Sequence, residues 1–529
     1  MIVCIGVVSY LKVILVGVDG ATYWVIKDLL PRLKGFNKLA KEGVICDLKT
    51  TLPPLSSCAW ASIYTGVRPS RHGMFDFVGI GSDYGVHGMG FVNALRYPVF
   101  WSLLGRFGFK SVVVNPPMIY PAFKVNGVLV SGWPSPKLSV YPSRFGKILR
   151  EIGYRIDVDG LEGRFRKDPD GTVDDLVDVA KIRGEACFRL SEELGNWDLM
   201  FPVFTICDRI QHFALGRNGW RKWVFKAYRV VDEFIQRALS LLKDEDEGLL
   251  LIVSDHGFQP IKKSFLVNSW LVKKGFAKLR YSNIRSLIRE YIVNGVSLRT
   301  IYWGASHKRL ASLVGKINNL FLGGAPKRGR FSINDFVLRK TLAFASGTIS
   351  PATFIWINDD RFRYFAVRRS KKTLVKEKLI DALLEVRDSN GEVIVRDVVD
   401  VENLYNGNGR DDLVSPDLMI VANDEYTIDP WYVSSSYVVG PSVYRHGDHS
   451  FEGVFAAAGP SVNRLKDFDF CGVVDVAPTI LNLFNIGTPS WMDGISLIRS
   501  NTLLKGSLRD NLKIKVKVIE KKVREFSGG

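Results

Sequence analysis

Cysteine, histidine and long apolar runs are all scarce in this chain, and each scarcity removes a class of protein. The six cysteines (Cys4, Cys46, Cys58, Cys187, Cys207, Cys471) are scattered through 529 residues with no C-x-x-C pair. This argues against a disulfide framework and for reduced thiols in a cytoplasmic protein. The apolar N-terminal stretch MIVCIGVVSYLKVILVGVDG is broken by Lys12 and ends in Asp19. It lacks the basic n-region and cleavage site of a signal peptide. It is also too short, and too rich in Val, Ile and Gly, for a transmembrane helix. No later run reads as a transmembrane segment, and internal repeats and low-complexity tracts are missing as well.

Acidic residues are nearly absent from one segment. Residues 271–340 carry fifteen Lys and Arg against Glu290 and Asp335 alone, and residues 505–525 carry eight basic residues against three acidic. The net charge of +18 is concentrated there, and the rest of the chain is balanced. Basic character therefore bears on partners, as a contact to an anionic surface through 271–340 and the tail, more than on the core.

What is present is ordinary globular composition, 47% hydrophobic and 24% charged, in a chain long enough for a large core with insertions. Apolar, β-branched runs recur and end on polar or small residues: KVILVGVDG, KSVVVNPP, DLMFPVFTICD, GLLLIVSDHG, DLMIVAND and GVFAAAGP. Helical patterns such as VFKAYRVVDEFIQRALSLLKDE lie between them. This alternation predicts an α/β fold, a three-layer α/β/α sandwich whose largely parallel central sheet carries helices on both faces. The expected divisions are a first part of the core over 1–270, a basic insertion or lid over 271–345, a second part of the core over 346–500, and a basic tail over 501–529.

Three aspartates, Asp19, Asp208 and Asp255, stand just past the ends of predicted strands, where open α/β sheets gather their ligands. His256 follows Asp255, and His212 lies one helical turn beyond Asp208 in FTICDRIQHFAL. His446 and His449 share the Gly-rich loop RHGDHSFEG. The other histidines, His72, His87 and His307, read as structural or surface residues. A mixed set of three Asp and three His suits two divalent ions of the Zn or Mn type, a usual device for phosphoryl transfer. Ser56 and Ser57 in PPLSSCAWASIYTG stand at the start of a helical stretch. Alone they read as a helix cap, whereas beside a metal site one of them would serve as nucleophile.

These pieces resemble, in order and spacing, the alkaline phosphatase superfamily, in particular its type I phosphodiesterase/nucleotide pyrophosphatase branch. The resemblance is carried by VILVGVDGAT, PPLSSCAWASIYTGVRPSRHGMFDF, NPPMIYP, FTICDRIQHF, LIVSDHGF, VNSWLVKKGF, SPDLMIV, GDHSFEGVFAAAGP and DVAPTILNLFNIGTPSWMDGISL, from about residue 12 to 500. It implies that Asp19, Ser56, Asp255 and His256 hold one divalent ion and that Asp208, His212 and His449 hold the other. Zn is the first expectation for the metal and Mn the second. Position relative to Thr65-Gly66 selects Ser56 over Ser57 as nucleophile, and the G-x-H turn before the last strand selects His449 over His446.

Two departures matter. Phe77 stands where nucleotide pyrophosphatases carry an Asn that holds a phosphate oxygen, and Asn115 and Arg209 are the candidate replacements. SSCAWAS lacks the x-P-x-R signal of sulfatases. The expected activity is hydrolysis of a small-molecule phosphate ester, of phosphodiester or nucleotide pyrophosphate type, through a phosphoserine. The alternatives are a phosphomutase using the same phosphoseryl chemistry, with the basic segment as its lid, and a non-catalytic protein that binds polyanions or membrane surfaces.

Overall fold

The run KVILVGV forms β1 (Lys12–Val18), and its side chains alternate between two cores. Ile14, Val16 and Val18 face one core and Val13 and Leu15 the other, all fully buried. A strand covered on both faces shows no polar side, so its sequence is a continuous apolar run. The computed structural model describes residues 11–88, 95–243, 245, 247–280, 332–401, 413–432, 437–442, 445–465 and 471–498. His307, the interior of the basic insertion (281–331) and the tail 501–529 lie outside the described residues.

Among the described residues the central sheet has nine strands. After β1 come β2 (Val44–Lys49), β3 (Ser111–Val114), β4 (Gly127–Val130), β5 (Val140–Tyr141) and β6 (Leu199–Phe204). Then follow β7 (Gly248–Val253), β8 (Glu452–Ala458) and β9 (Cys471–Gly472). Their spatial order is β9-β2-β8-β7-β1-β6-β3-β4-β5. Only β8 and β5 run against the rest, so the sheet is largely parallel as the run pattern predicts.

Helices cover both faces. On one side pack α2 (Pro169–Leu194) and α4 (Trp220–Lys243), through residues such as Val173, Leu176, Val224 and Val231. On the other lie α1 (Ser56–Thr65) and α5 (Val476–Leu483), through Trp60, Ile63, Tyr64, Ala477 and Ile480. The long α2 starts where its composition dictates: the Asp168 carboxylate accepts the Gly171 N–H at 3.0 Å, and Pro169 occupies the first helical position.

A second core surrounds a four-stranded antiparallel sheet in the order Ala343–Ser346, Ala352–Ile357, Leu418–Ala422, Val395–Asp400. The helix Lys372–Leu384 contributes Leu379 and Leu383 to this core. The run DLMIVAND therefore belongs to this sheet and not to the central one. An apolar run buried on both faces looks alike in either setting. The two ends of the basic insertion meet at its base, where Leu279 bridges Phe336 and the Val337 N–H donates to the Lys278 carbonyl at 2.7 Å. No helix among the described residues is long and apolar enough to cross a membrane.

Candidate metal centre

Parallel strands deliver their C-terminal ends to one edge, and there β1, β6 and β7 release Asp19, Asp208 and Asp255. The antiparallel β8 begins where its neighbours finish, so His449, just before it, arrives at the same edge. It is fixed there by the pairing of Gly257–Pro260 with Gly447–Ser450, which sets Phe258 opposite His449. Asp208 and His212 lie on α3 (Ile206–Ala214), buried and one turn apart. Two glycines make room for this convergence. A Cβ on Gly17 would stand 2.7 Å from the Trp60 ring, and Gly20, at φ +70°, would set one 3.1 Å from the Asp208 Cα.

The donor atoms converge tightly. One ligand atom from each of Asp208, His212 and His449 lies within 4.8 Å of the other two, and so do those of Asp19, Asp208 and His256. Asp208 belongs to both groups. The rings of His256 and His449 stack with centroids 3.7 Å apart. Asp255 adjoins His256, with Oδ2 3.2 Å from its Nε2.

Hydrogen bonds fix the histidine tautomers. Nδ1 of His212 faces the Gly447 carbonyl at 3.2 Å, Nδ1 of His256 the Gly257 carbonyl at 3.1 Å, and Nδ1 of His449 the Pro54 carbonyl at 2.7 Å. A carbonyl only accepts, so each Nδ1 donates and each neutral ring turns an Nε2 lone pair inward. Carbonyl partners of this kind hold metal-ligating imidazoles in orientation.

The result is a surplus of acceptors. Nε2 of His212 and Nε2 of His449 stand 3.2 Å apart, both within 3.5 Å of Asp208 Oδ1. Asp19 Oδ1 and Asp255 Oδ2 are buried with no hydrogen-bond partner among the described residues. Converging lone pairs and orphaned carboxylate oxygens are tolerable in an interior only around a cation, so this donor set fits divalent ions.

Charge tells the same story. Burial drives the Asp19 carboxyl well above the usual range, with Asp255 and Asp208 adding to the effect, and it lifts Asp255 to about 7. Burial acts on Asp208 too, but His212, His449 and Arg209 outweigh it and hold that carboxyl well below the usual range.

Ser56 is the first residue of α1, and Leu55 holds the cap position. The serine is therefore not a cap: its Oγ lies 3.1 Å from His256 Nε2, which accepts the hydroxyl proton. Ser57 Oγ instead lies against Cys58 Sγ at 3.8 Å. The Ser56 and Ser57 amides make no backbone hydrogen bond among the described residues.

Arg209 joins the cluster as a brace. Nε and Nη2 bond Asp157 Oδ2 at 3.0 and 2.9 Å, Nη1 bonds Asp208 Oδ2 at 2.6 Å, and the guanidinium lies 4.3 Å from the Trp133 ring centroid. Asn115 is fully buried at the end of β3 and donates through Nδ2 to the Val203 carbonyl at 3.0 Å. Phe77 packs edge-on against Trp133 at 5.5 Å. His446 is exposed, His72 is buried between Ser62 Oγ and the Met74 amide, and His87 is exposed beside Asp83.

Several supporting residues escape the sequence reading. Trp60 Nε1 donates to Asp19 Oδ2 at 3.2 Å, Gln211 Nε2 to the Gly20 carbonyl at 2.7 Å, and Asp448 accepts the His449 amide at 2.9 Å. Asp448 could have been found beside His449, and Trp60 four residues after Ser56. Asp157 carries no local signal.

No curated protein matches the chain. Among solved structures, phosphonoacetate hydrolase from Sinorhizobium meliloti 1021 in complex with phosphonoformate aligns with a TM-score of 0.53 at 13% identity, over 89% of this chain and 94% of that one. Its complex with phosphonoacetate gives the same TM-score at 12% identity. At such identity the likeness speaks to fold alone, and that fold is the alkaline phosphatase-like sandwich. A sequence profile for type I phosphodiesterase / nucleotide pyrophosphatase matches residues 13–452. The chain belongs to the type I phosphodiesterase / nucleotide pyrophosphatase family, whose members are metal-dependent hydrolases of phosphoester bonds.

Proposed function

We propose that this enzyme cleaves small-molecule phosphate esters, of phosphodiester or nucleotide pyrophosphate type, through a phosphoserine formed on Ser56. The observation that carries the reading is the Ser56 hydroxyl 3.1 Å from His256 Nε2, at the rim of a buried acceptor cluster. Asp19, Ser56, Asp255 and His256 would hold one divalent ion and Asp208, His212 and His449 a second, Zn first and Mn as alternative. When bound, such ions lower the pKa of the serine hydroxyl and neutralise charge on the attacking and leaving oxygens.

The chain's own residues do the rest. His256, its tautomer set by Gly257, turns Nε2 toward Ser56 Oγ and orients it for in-line attack, while the hydroxyl proton leaves to solvent. The free amides at the start of α1 point their partial positive charge toward the phosphoryl oxygens. Arg209, tied to Asp157, holds Asp208 in place, and Phe77, packed against Trp133, takes the sequence position where the family resemblance expects an Asn. The phosphate clamp therefore differs, and a nucleotide preference does not carry over. Hydrolysis of the phosphoserine by water completes the cycle. Free cysteines at Cys46, Cys58, Cys187, Cys207 and Cys471 support a cytoplasmic setting.

The test is turnover of an aryl phosphodiester and an aryl phosphomonoester with Zn or Mn supplied. Ser56→Ala should lower kcat by at least about a thousandfold while the ion content stays unchanged. Failure of ion-loaded protein to release product from either ester would overturn the hydrolase reading. Transfer of the phosphoryl group to a second substrate hydroxyl, with no inorganic phosphate released, would point to the phosphomutase.

A further inference from the structure

The antiparallel-sheet region carries a surface that the hydrolase chemistry does not use. Its sequence is DRFRYFAVRRSKK, residues 360–372. Phe362 and Val367 turn into the core, while Tyr364 and Phe365 stay 38% and 42% exposed. Leu374, at the start of the following helix, is 51% exposed. We propose that the loop 360–371 docks the enzyme onto an anionic lipid surface.

The exposed rings are held outward by a built scaffold. The buried Asn358 donates through Nδ2 to the Leu338 and Thr341 carbonyls at 2.9 Å each and to the Tyr364 carbonyl at 3.4 Å. Its own carbonyl accepts the Ala366 and Val367 amides at 3.0 Å each, and its Oδ1 accepts the Tyr84 hydroxyl at 2.8 Å. The Arg363 amide bonds the Ser82 carbonyl at 2.9 Å. Tyr84 also stacks on Phe362 at 5.0 Å and lies parallel to Tyr364 at 6.5 Å.

Charge completes the surface. Arg361 and Lys372 are taken up by the buried Asp359 and Asp417. Arg339, Lys340, Arg363, Arg368, Arg369 and Lys371 are exposed and form no ion pair with a described residue, whereas Asp360 is the one acidic residue on the loop. Exposed aromatic and aliphatic side chains fringed by Lys and Arg match the lipid headgroup boundary, where rings seat at the interface and cations attract anionic lipid. Nucleic acid is the poorer fit. Tyr84 lies parallel to the Tyr364 ring, and Arg363 and Arg339 lie over it at 5.3 and 5.5 Å, so a base has little open face on which to stack.

Full-length protein should co-sediment with mixed phosphatidylglycerol–phosphatidylcholine vesicles, weakly or not at all with phosphatidylcholine alone, and should release as salt rises. Charge reversal at Arg363→Glu, Arg368→Glu, Arg369→Glu and Lys371→Glu together should weaken binding at least about tenfold. The pair Tyr364→Ser and Phe365→Ser should weaken it severalfold with little change in salt dependence, and turnover of a soluble ester should persist. If the charge-reversed protein loses turnover, the Tyr364→Ser, Phe365→Ser protein decides alone. No binding to anionic vesicles, or equal binding by wild type and the deciding variant, would overturn the proposal. So would binding to single-stranded RNA, but not to vesicles, that depends on these residues.

Discussion

The two halves of the acceptor cluster share Asp208 yet meet its charge in opposite ways. Around Asp208, two imidazoles and the Arg209 guanidinium face one carboxylate, which is held well below its usual pKa. Around Asp19 and Asp255, two buried carboxylates face one imidazole, both are pushed upward, and each keeps an oxygen without a hydrogen-bond partner among the described residues. The first half supplies counter-charge of its own, from Arg209 and from imidazoles that can take up a proton when no ion is bound. The second is an acidic pocket that is satisfied only by an added cation or a proton.

The largest expected effect comes from the shared residue. Asp208→Asn should strip the ion it holds with His212 and His449, weaken the neighbouring one, and lower turnover by more than about a thousandfold, seen as metal content at or below about one ion per chain by elemental analysis. Asp255→Asn should remove one ion and spare the other; loss of both would erase the distinction between the halves.

Next is a contrast of sign in the metal-free protein. Asp208→Asn leaves Arg209 with one carboxylate fewer and should destabilise by on the order of 3 kcal/mol. Asp255→Asn keeps an acceptor for the Gly20 amide, supplies a donor toward His256 Nε2 and removes an unpartnered charge. It should raise the melting temperature at pH 8. Calorimetry of the two variants after chelation reads both signs.

The pH dependence follows. With its folded pKa raised by burial to about 7, from an ordinary aspartate value of 3.8, Asp255 binds a proton more tightly when folded. Its contribution is fully present below about pH 4 and is lost as pH rises through 7, by at most about 4 kcal/mol. Metal-free Asp255→Asn should therefore show a flatter stability profile between pH 4 and 7 than wild type; parallel profiles would contradict the charge assignment. The smallest effect is expected of Trp60→Phe, which deletes one hydrogen bond to Asp19 and should weaken ion binding by about tenfold.

Much of this was legible in the sequence, for a physical reason. A parallel strand buried on both faces must end where the chain turns polar, so Asp19, Asp208 and Asp255 mark one sheet edge without any knowledge of the sheet's order. His212 was legible from helical periodicity. His256 was legible only as the neighbour of Asp255. The choice of His449 over His446 depends on the pairing of Gly257–Pro260 with Gly447–Ser450, a long-range register that local sequence does not encode. The same holds for Asp157, which reaches Arg209 across 52 residues. The antiparallel sheet was hidden because its apolar strands carry the same composition as the central ones.

The central claim is that the phosphoryl group passes through Ser56. Ion-loaded enzyme mixed with an aryl phosphate ester and quenched in acid during turnover should yield one phosphorylated peptide, the one containing Ser56, with fragmentation placing the group on that residue. A phosphoryl group on Ser57, or none on any serine while product accumulates, would contradict it.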